Sequence, residues 1–329
     1  MTKKIIDVPR FLIFEETIQF ARIIRELPNS GTFIFDFEYA DKIDPFSLLY
    51  LSSELQRCRS ARKSADFFAK NFAHLTYAAH MGFFKAFGLE HGKNPGEAKG
   101  SSTYIPIQIK DVSKIKSDAR DMMVNPGELL ENMSKDLCKV LTQTDSGNLF
   151  DLLVYSLREI LRNVIEHSNC NQFGFCAQYL PSLNRVSLAI LDRGIGIKNG
   201  LSTNPTLNII SDEDALMEAI KPGVSGKVYK GQKRKPKGEW ANSGFGLYMT
   251  SNICRNGGTF FIASGSKGLY MSENKYRYLD TPLSGTAVNL TLNTSRLTNL
   301  NDMLAELRNK ASTNKIASIS SLGLSKSFK

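Results

Sequence analysis

Hydrophobic positions change period several times along this chain, and each change predicts an element. Thr32-Phe33-Ile34-Phe35-Asp36-Phe37 is rich in β-branched and aromatic residues, as a buried strand is. From Ser47 to Arg59 the apolar residues Leu48, Leu51 and Leu55 recur at helical spacing instead. Ala65 to Ala69 reads as a second strand, and Phe72 to Phe87 as an amphipathic helix that stops near Gly88. This alternation predicts a small α/β domain. Between Glu90 and Ser102 the period is lost in a breaker-rich stretch, His91-Gly92-Lys93-Asn94-Pro95-Gly96, which places a domain boundary there.

Residues 104 to 126 follow no template, and Pro126-Gly127 punctuates the chain before a helix from Glu128 to about Thr142. Leu153, Leu157, Ile160, Leu161 and Val164 then keep the spacing of an amphipathic helix over Leu152 to His167. Strands are expected at Phe173 to Tyr179 and Val186 to Leu191, joined across Pro181-Ser182-Leu183-Asn184. A helical pattern from Leu247 to Asn256 and an alternating strand from Ala287 to Leu292 complete the pattern. The tail from Ala311 to Lys329 is basic and Ser-rich, a composition that predicts disorder.

Composition narrows the class. With 329 residues, 42% of them hydrophobic and 22% charged, the chain is long enough for two soluble domains. It contains no apolar run near the roughly 18 residues of a membrane span, and Asp7, Pro9 and Arg10 interrupt the N-terminal stretch before a signal-peptide core forms. Five scattered cysteines (Cys58, Cys138, Cys170, Cys176, Cys254) without a C-x-x-C pair argue against a disulfide framework. The four dispersed histidines lack metal-ligand spacing, so no transition metal is expected and the reducing cytoplasm is the expected compartment. A net charge of +10 favours an acidic partner such as a phosphate, and seven basic residues without an acidic one lie between Lys221 and Lys237.

Four short motifs carry the candidate chemistry. On the polar side of the helix ending at His167, Glu159, Asn163 and His167 recur every four residues, which stacks a carboxylate, a carboxamide and an imidazole along one stripe. The strand ending at Leu191 runs into Asp192-Arg193-Gly194-Ile195-Gly196, where two glycines let the backbone approach a flat ligand and Asp192 can accept from an exocyclic amine. Gly244-Phe245-Gly246-Leu247 opens a helix and so offers N–H groups to a polyphosphate. Ser284-Gly285-Thr286 precedes the last strand.

In their order and spacing these motifs resemble the N box and three glycine boxes of the GHKL ATPase superfamily, which includes gyrase and the histidine kinases. The resemblance covers residues 128 to 295 and is closest in motif form to the anti-sigma-factor serine kinases. It implies a Bergerat α/β sandwich with a mixed sheet, binding ATP and Mg²⁺. Asn163 would hold the Mg²⁺, Asp192 the adenine amino group, and Gly194 and Gly196 the adenine pocket. Gly244, Phe245, Gly246 and Leu247 would line the triphosphate, Thr286 would sit near the adenine, and His167 would cap or brace the pocket wall. Glu159 resembles the carboxylate that activates a water or a serine hydroxyl in the catalytic members.

Residues 197 to 243 fall where that superfamily keeps its ATP lid. Lys227 is a candidate for the γ-phosphate, and the basic run from Lys230 to Lys237 for an acidic partner. Nucleic acid is the weaker candidate, because Tyr229 and Trp240 alone could stack bases. No histidine lies in residues 104 to 150, so a histidine kinase's phosphoacceptor hairpin is missing. The first domain is similar to the STAS fold of anti-anti-sigma factors, through Phe33 to Phe37, Ile43-Asp44-Pro45-Phe46-Ser47 and Met81 to Leu89. In that family a phosphorylated serine follows shortly after the aspartate, but here Pro45 and Phe46 occupy the region and the nearest hydroxyl is Ser47, so the domain is better read as a protein-binding or dimerising module.

The expected organisation is therefore a STAS-like α/β domain over residues 1–100 and a connector over 101–127. A GHKL ATP-binding domain over 128–295 and a C-terminal helix and basic tail over 296–329 follow. The expected role is a slow ATPase switch coupled to a protein partner, with a serine/threonine protein kinase or a non-hydrolysing ATP sensor as alternatives. The partner would dock through the STAS-like domain or the lid, and a homodimer is compatible with the pattern.

Overall fold

The computed structural model describes residues 3–226, 244, 246–273 and 275–299, without the side chains of 256 and 297–299. Among these residues the protein is a mixed α/β molecule with ten α-helices and three sheets, and strands pair both parallel and antiparallel. The chain divides into two units, residues 1–109 with 174–178 and 187–191, and residues 110–173 with 179–186 and 192–329. No helix of the described residues is long and apolar enough to cross a membrane.

The first unit runs β1 (Lys3–Asp7), β2 (Phe11–Leu12), α1 (Phe14–Arg25), β3 (Ser30–Asp36), β4 (Lys42–Ile43), α2 (Pro45–Ala61), β5 (Ser64–Lys70), α3 (Thr76–His80), α4 (Phe83–Ala86) and most of β6 (Tyr104–Asp111). Strands β1, β3 and β5 form a parallel sheet with β3 in the middle, and β2 pairs with β4. Helix α1 buries Thr17, Phe20, Ala21 and Ile24, the stripe that a 3.6-residue period predicts. Phe20 meets Phe35 of β3 edge to face at 6.3 Å. Helix α2 starts where Asp44 accepts from the Ser47 N–H at 2.7 Å and Pro45 takes the first helical position. The Ser47 hydroxyl is fully buried, 2.5 Å from Thr17 Oγ1.

One expected element is broken. Instead of a continuous helix from Phe72 to Phe87 there are two short ones, α3 and α4, separated by Gly82 at φ +89°. The reason is a crossing backbone. Lys93 N–H donates to Ala79 O at 2.9 Å, taking the carbonyl that a continuing helix needs, and a Cβ on Gly82 would lie 3.1 Å from Pro95 N. The breaker-rich residues 91–96 are thus fastened within the first unit, and Gly96 N–H also donates to Ile107 O at 2.8 Å.

The chain continues with α5 (Val112–Asp121), α6 (Pro126–Thr142), α7 (Asn148–His167), β7 (Gln172–Leu180), β8 (Arg185–Asp192), α8 (Gly196–Leu201), α9 (Asp212–Ala219), α10 (Gly246–Gly257), β9 (Gly258–Ser272) and β10 (Lys275–Asn293). The stretch without a sequence template is β6 and α5, whose start Asp111 caps by accepting from the Lys114 N–H. Pro126 is the first helical residue of α6, behind an Asn125 cap, so it starts that helix. The five-stranded sheet has the order β6-β7-β8-β10-β9, with β9 and β10 antiparallel. Two register shifts interrupt that last pairing, between Asp280 and Leu283 and between Leu283 and Thr286. In the second unit α7 packs on α6 and α10, while α10 and α9 cover β9.

Candidate functional site

Strand β8 is buried from Val186 onward and delivers Asp192 at its C-terminal end with only 3% of the residue exposed. The carboxylate is held chiefly by backbone: Oδ1 accepts from the Gly194 N–H at 2.8 Å, and the Thr286 N–H also favours the charged form. Burial pushes the Asp192 carboxyl up to about 6, against the opposing pull of these donors and the Arg193 charge. A buried carboxylate that retains acceptor capacity suits a ligand that brings its own donor.

The glycines on either side make the enclosure. A Cβ on Gly194 would lie 2.0 Å from Ser168 O, and one on Gly285 2.0 Å from Asp192 O, with Gly285 itself at φ +108°. No side chain fits at those separations, so three stretches that are distant in sequence interleave backbone to backbone. Ser264 closes the arrangement, because its hydroxyl accepts from the Ile197 N–H at 2.8 Å and donates to Gly285 O at 2.9 Å. The Ile195 N–H donates to Ser168 O at 2.7 Å. Asp192, Gly194, Gly196 and Thr286 are thereby gathered into one turn cluster.

Helix α7 carries the second group. Glu159 is buried to 2% exposure, and its Oε1 accepts from Arg162 Nη1 at 3.3 Å. Arg162, also buried, reaches Glu166 with Nε at 2.7 Å. Asn163 is half-buried one turn beyond Glu159, and His167 ends the helix 3.7 Å from Glu166 Oε2. Helix α10 crosses α7 at Gly246, where a Cβ would lie 2.6 Å from the Glu159 Cβ. The α10 N-terminus is thus set against the carboxylate stripe because its first residue has no side chain. Ser168 follows α7 directly, so the Asn163 position lies about 7.5 Å along the helix axis from the residue that seals the Asp192 turn.

Gly244, at φ +67°, packs on Gly223 and Val224, and the Gly223 N–H donates to Gly244 O at 3.0 Å. Nearby, Asn204 Nδ2 donates to Ser225 O at 2.8 Å. Leu247 is half-buried on α10. Lys227, Phe245 and the basic run from Lys230 to Lys237 lie outside the described residues. Motif spacing misses Ser168 and Ser264. Ser264 sits in β9, where Phe260, Phe261 and Ile262 carry a strand signal. Among the described residues no three His, Cys, Asp or Glu side chains gather as a metal cage. No protein-family model matches this chain, and no curated protein matches it.

Proposed function

We propose that the second unit binds Mg-ATP in a GHKL-type site and that the protein is a cytoplasmic regulatory switch with slow ATP hydrolysis. The observation that carries this reading is the Asp192 turn, a buried carboxylate held by backbone N–H groups between two glycines that contact neighbouring backbone. A carboxylate offers about four lone-pair positions, which leaves room for an adenine amino group. The glycine-opened α10, twelve residues long, presents a helix N-terminus suited to phosphates. Asn163, half-buried and beside this stripe, is the residue that would hold Mg²⁺, whose chemistry is to neutralise phosphate charge. The first unit is read as a STAS-like module for a protein partner. Its fully buried Ser47 hydroxyl fits a module that is not phosphorylated there.

A second reading, an ATP sensor that does not hydrolyse, is favoured by one observation: Arg162 engages the Glu159 carboxylate proposed as the base. Calorimetric titration with Mg-ATP, followed by the fate of γ-labelled phosphate, separates the readings. The parent chain is expected to bind Mg-ATP and release labelled phosphate slowly. Asn163→Ala should lose the Mg²⁺-dependent part of affinity, and Glu159→Ala should bind but lose turnover. Binding without turnover in the parent establishes the sensor, label on a protein from host lysate the kinase. Absence of binding rejects the site.

A further inference from the structure

Among the described residues, the parallel sheet of the first unit has one covered and one exposed face. Register aligns residues in rows across β1, β3 and β5. Lys4-Phe33-Phe67 and Ile6-Phe35-Ala69 lie on one face, where Ile6, Phe33 and Phe35 are buried. The other face carries Lys3-Thr32-Asp66, then Ile5-Ile34-Phe68, then Asp7-Asp36-Lys70. In its central row Ile5 is 52% and Phe68 56% exposed, with Ile34 half-buried between them. Parallel sheets are ordinarily covered on both faces, and an apolar row left in water favours association.

The charges around this row select the partner. At the strand starts stand Lys3 and Asp66, at the strand ends Asp7 and Lys70, so the signs alternate around the four corners. Such a pattern is complementary to itself, as an isologous contact requires. Consider a second copy turned over about a two-fold axis along the Ile5-Ile34-Phe68 row. Apolar row then meets apolar row, Lys3 faces the partner's Asp7, and Asp66 faces the partner's Lys70, which also holds the buried Asp36 of its own chain at 2.7 Å. An axis parallel to the strands pairs the corners equally well but stacks the two Asp36 positions, buried and each held by its own Lys70, on each other. We propose that this exposed face is a self-association surface, on which two copies stack sheet on sheet with strands antiparallel about the central row.

The size of the face sets the strength. Three strands about 4.8 Å apart and five residues at about 3.3 Å each give on the order of 200–300 Å² per copy. That is well under the roughly 800 Å² per partner of a stable complex. Association is therefore weak and dependent on concentration.

Sedimentation velocity of the full chain, from low to several hundred micromolar, tests this. The weight-average coefficient should rise with concentration. Phe68→Glu should remove the rise, with far-ultraviolet circular dichroism unchanged because over half of that residue is already in water. Lys3→Glu should weaken association about tenfold, since each corner pair occurs twice in the dimer. Adding Asp7→Lys to Lys3→Glu should restore association, whereas adding Asp66→Lys should not. A coefficient independent of concentration in the parent, or undiminished association in Phe68→Glu, overturns the surface. Rescue by Asp66→Lys in place of Asp7→Lys overturns the axis.

Discussion

Asp36 and Asp192 each end a strand whose core is buried, and each is almost out of water, at 7% and 3% exposure. Their carboxyls nevertheless move in opposite directions. Lys70 at 2.7 Å, with Asn71 and the Glu38 N–H, holds Asp36 below its ordinary value against the effect of burial. At Asp192 burial dominates and backbone donors only moderate it, so the carboxyl rises to about 6. The lesson concerns completion: an aspartate whose charge is answered by its own unit is structural, whereas one left partly unanswered can receive a ligand.

The strongest way to break this comparison is to spoil the enclosure of Asp192. Gly285→Ala puts a methyl group 2.0 Å from Asp192 O at a φ of +108°, and should destabilise the protein by about 3 kcal/mol or more in denaturant unfolding. Gly200→Ala, with nothing within 4 Å of its Cβ, is the matched control and should be tolerated.

Asp192→Asn should cost adenine-nucleotide affinity and gain stability. The folded-state value lies above the unfolded one near 3.8, so this carboxyl favours folding fully below pH 4, and that contribution is lost as the pH rises through about 6. A neutral carboxamide avoids the loss, and the variant should be more stable at pH 7 by about 3 kcal/mol, converging with the parent in acid. Nucleotide affinity of the parent should fall as the pH drops through about 6, and that of Asp192→Asn should stay flat. Unfolding and binding measured from pH 4 to 8 check both signs.

Asp36→Asn sharpens the contrast with a smaller effect of opposite sign. Here the folded-state value is lowered, so the stabilisation is present above the unfolded value and is lost as the pH falls through the folded one. The variant should be less stable than the parent at pH 7, approach it in acid, and bind nucleotide unchanged. A change in nucleotide affinity would remove the division of labour between the two aspartates.

Much of this architecture is legible in the periodicity alone. Helix α7 follows directly from Leu153, Leu157, Ile160, Leu161 and Val164, and β3, β5 and β8 from short apolar runs, because amphipathic period is a local property. The Asp192 turn and the Gly246 helix start are readable as glycine spacing. The break at Gly82 is not, since it depends on residues 92–95 crossing the would-be helix. Ser168 and Ser264 leave no signal as site residues, because a serine acquires its role only from the backbone groups that arrive beside it.

By itself the sequence determined the periods, the caps that Asp44 and Asn125 supply, and the places where only glycine can turn the chain. Tertiary structure alone decided which glycine faces which carbonyl, that Glu159 is buried, and that one face of the parallel sheet is exposed among the described residues. The physical reason is range. Backbone propensity and capping act over three or four residues, whereas the close approach of Gly285 to Asp192 and the desolvation of a carboxylate exist only once distant segments have packed.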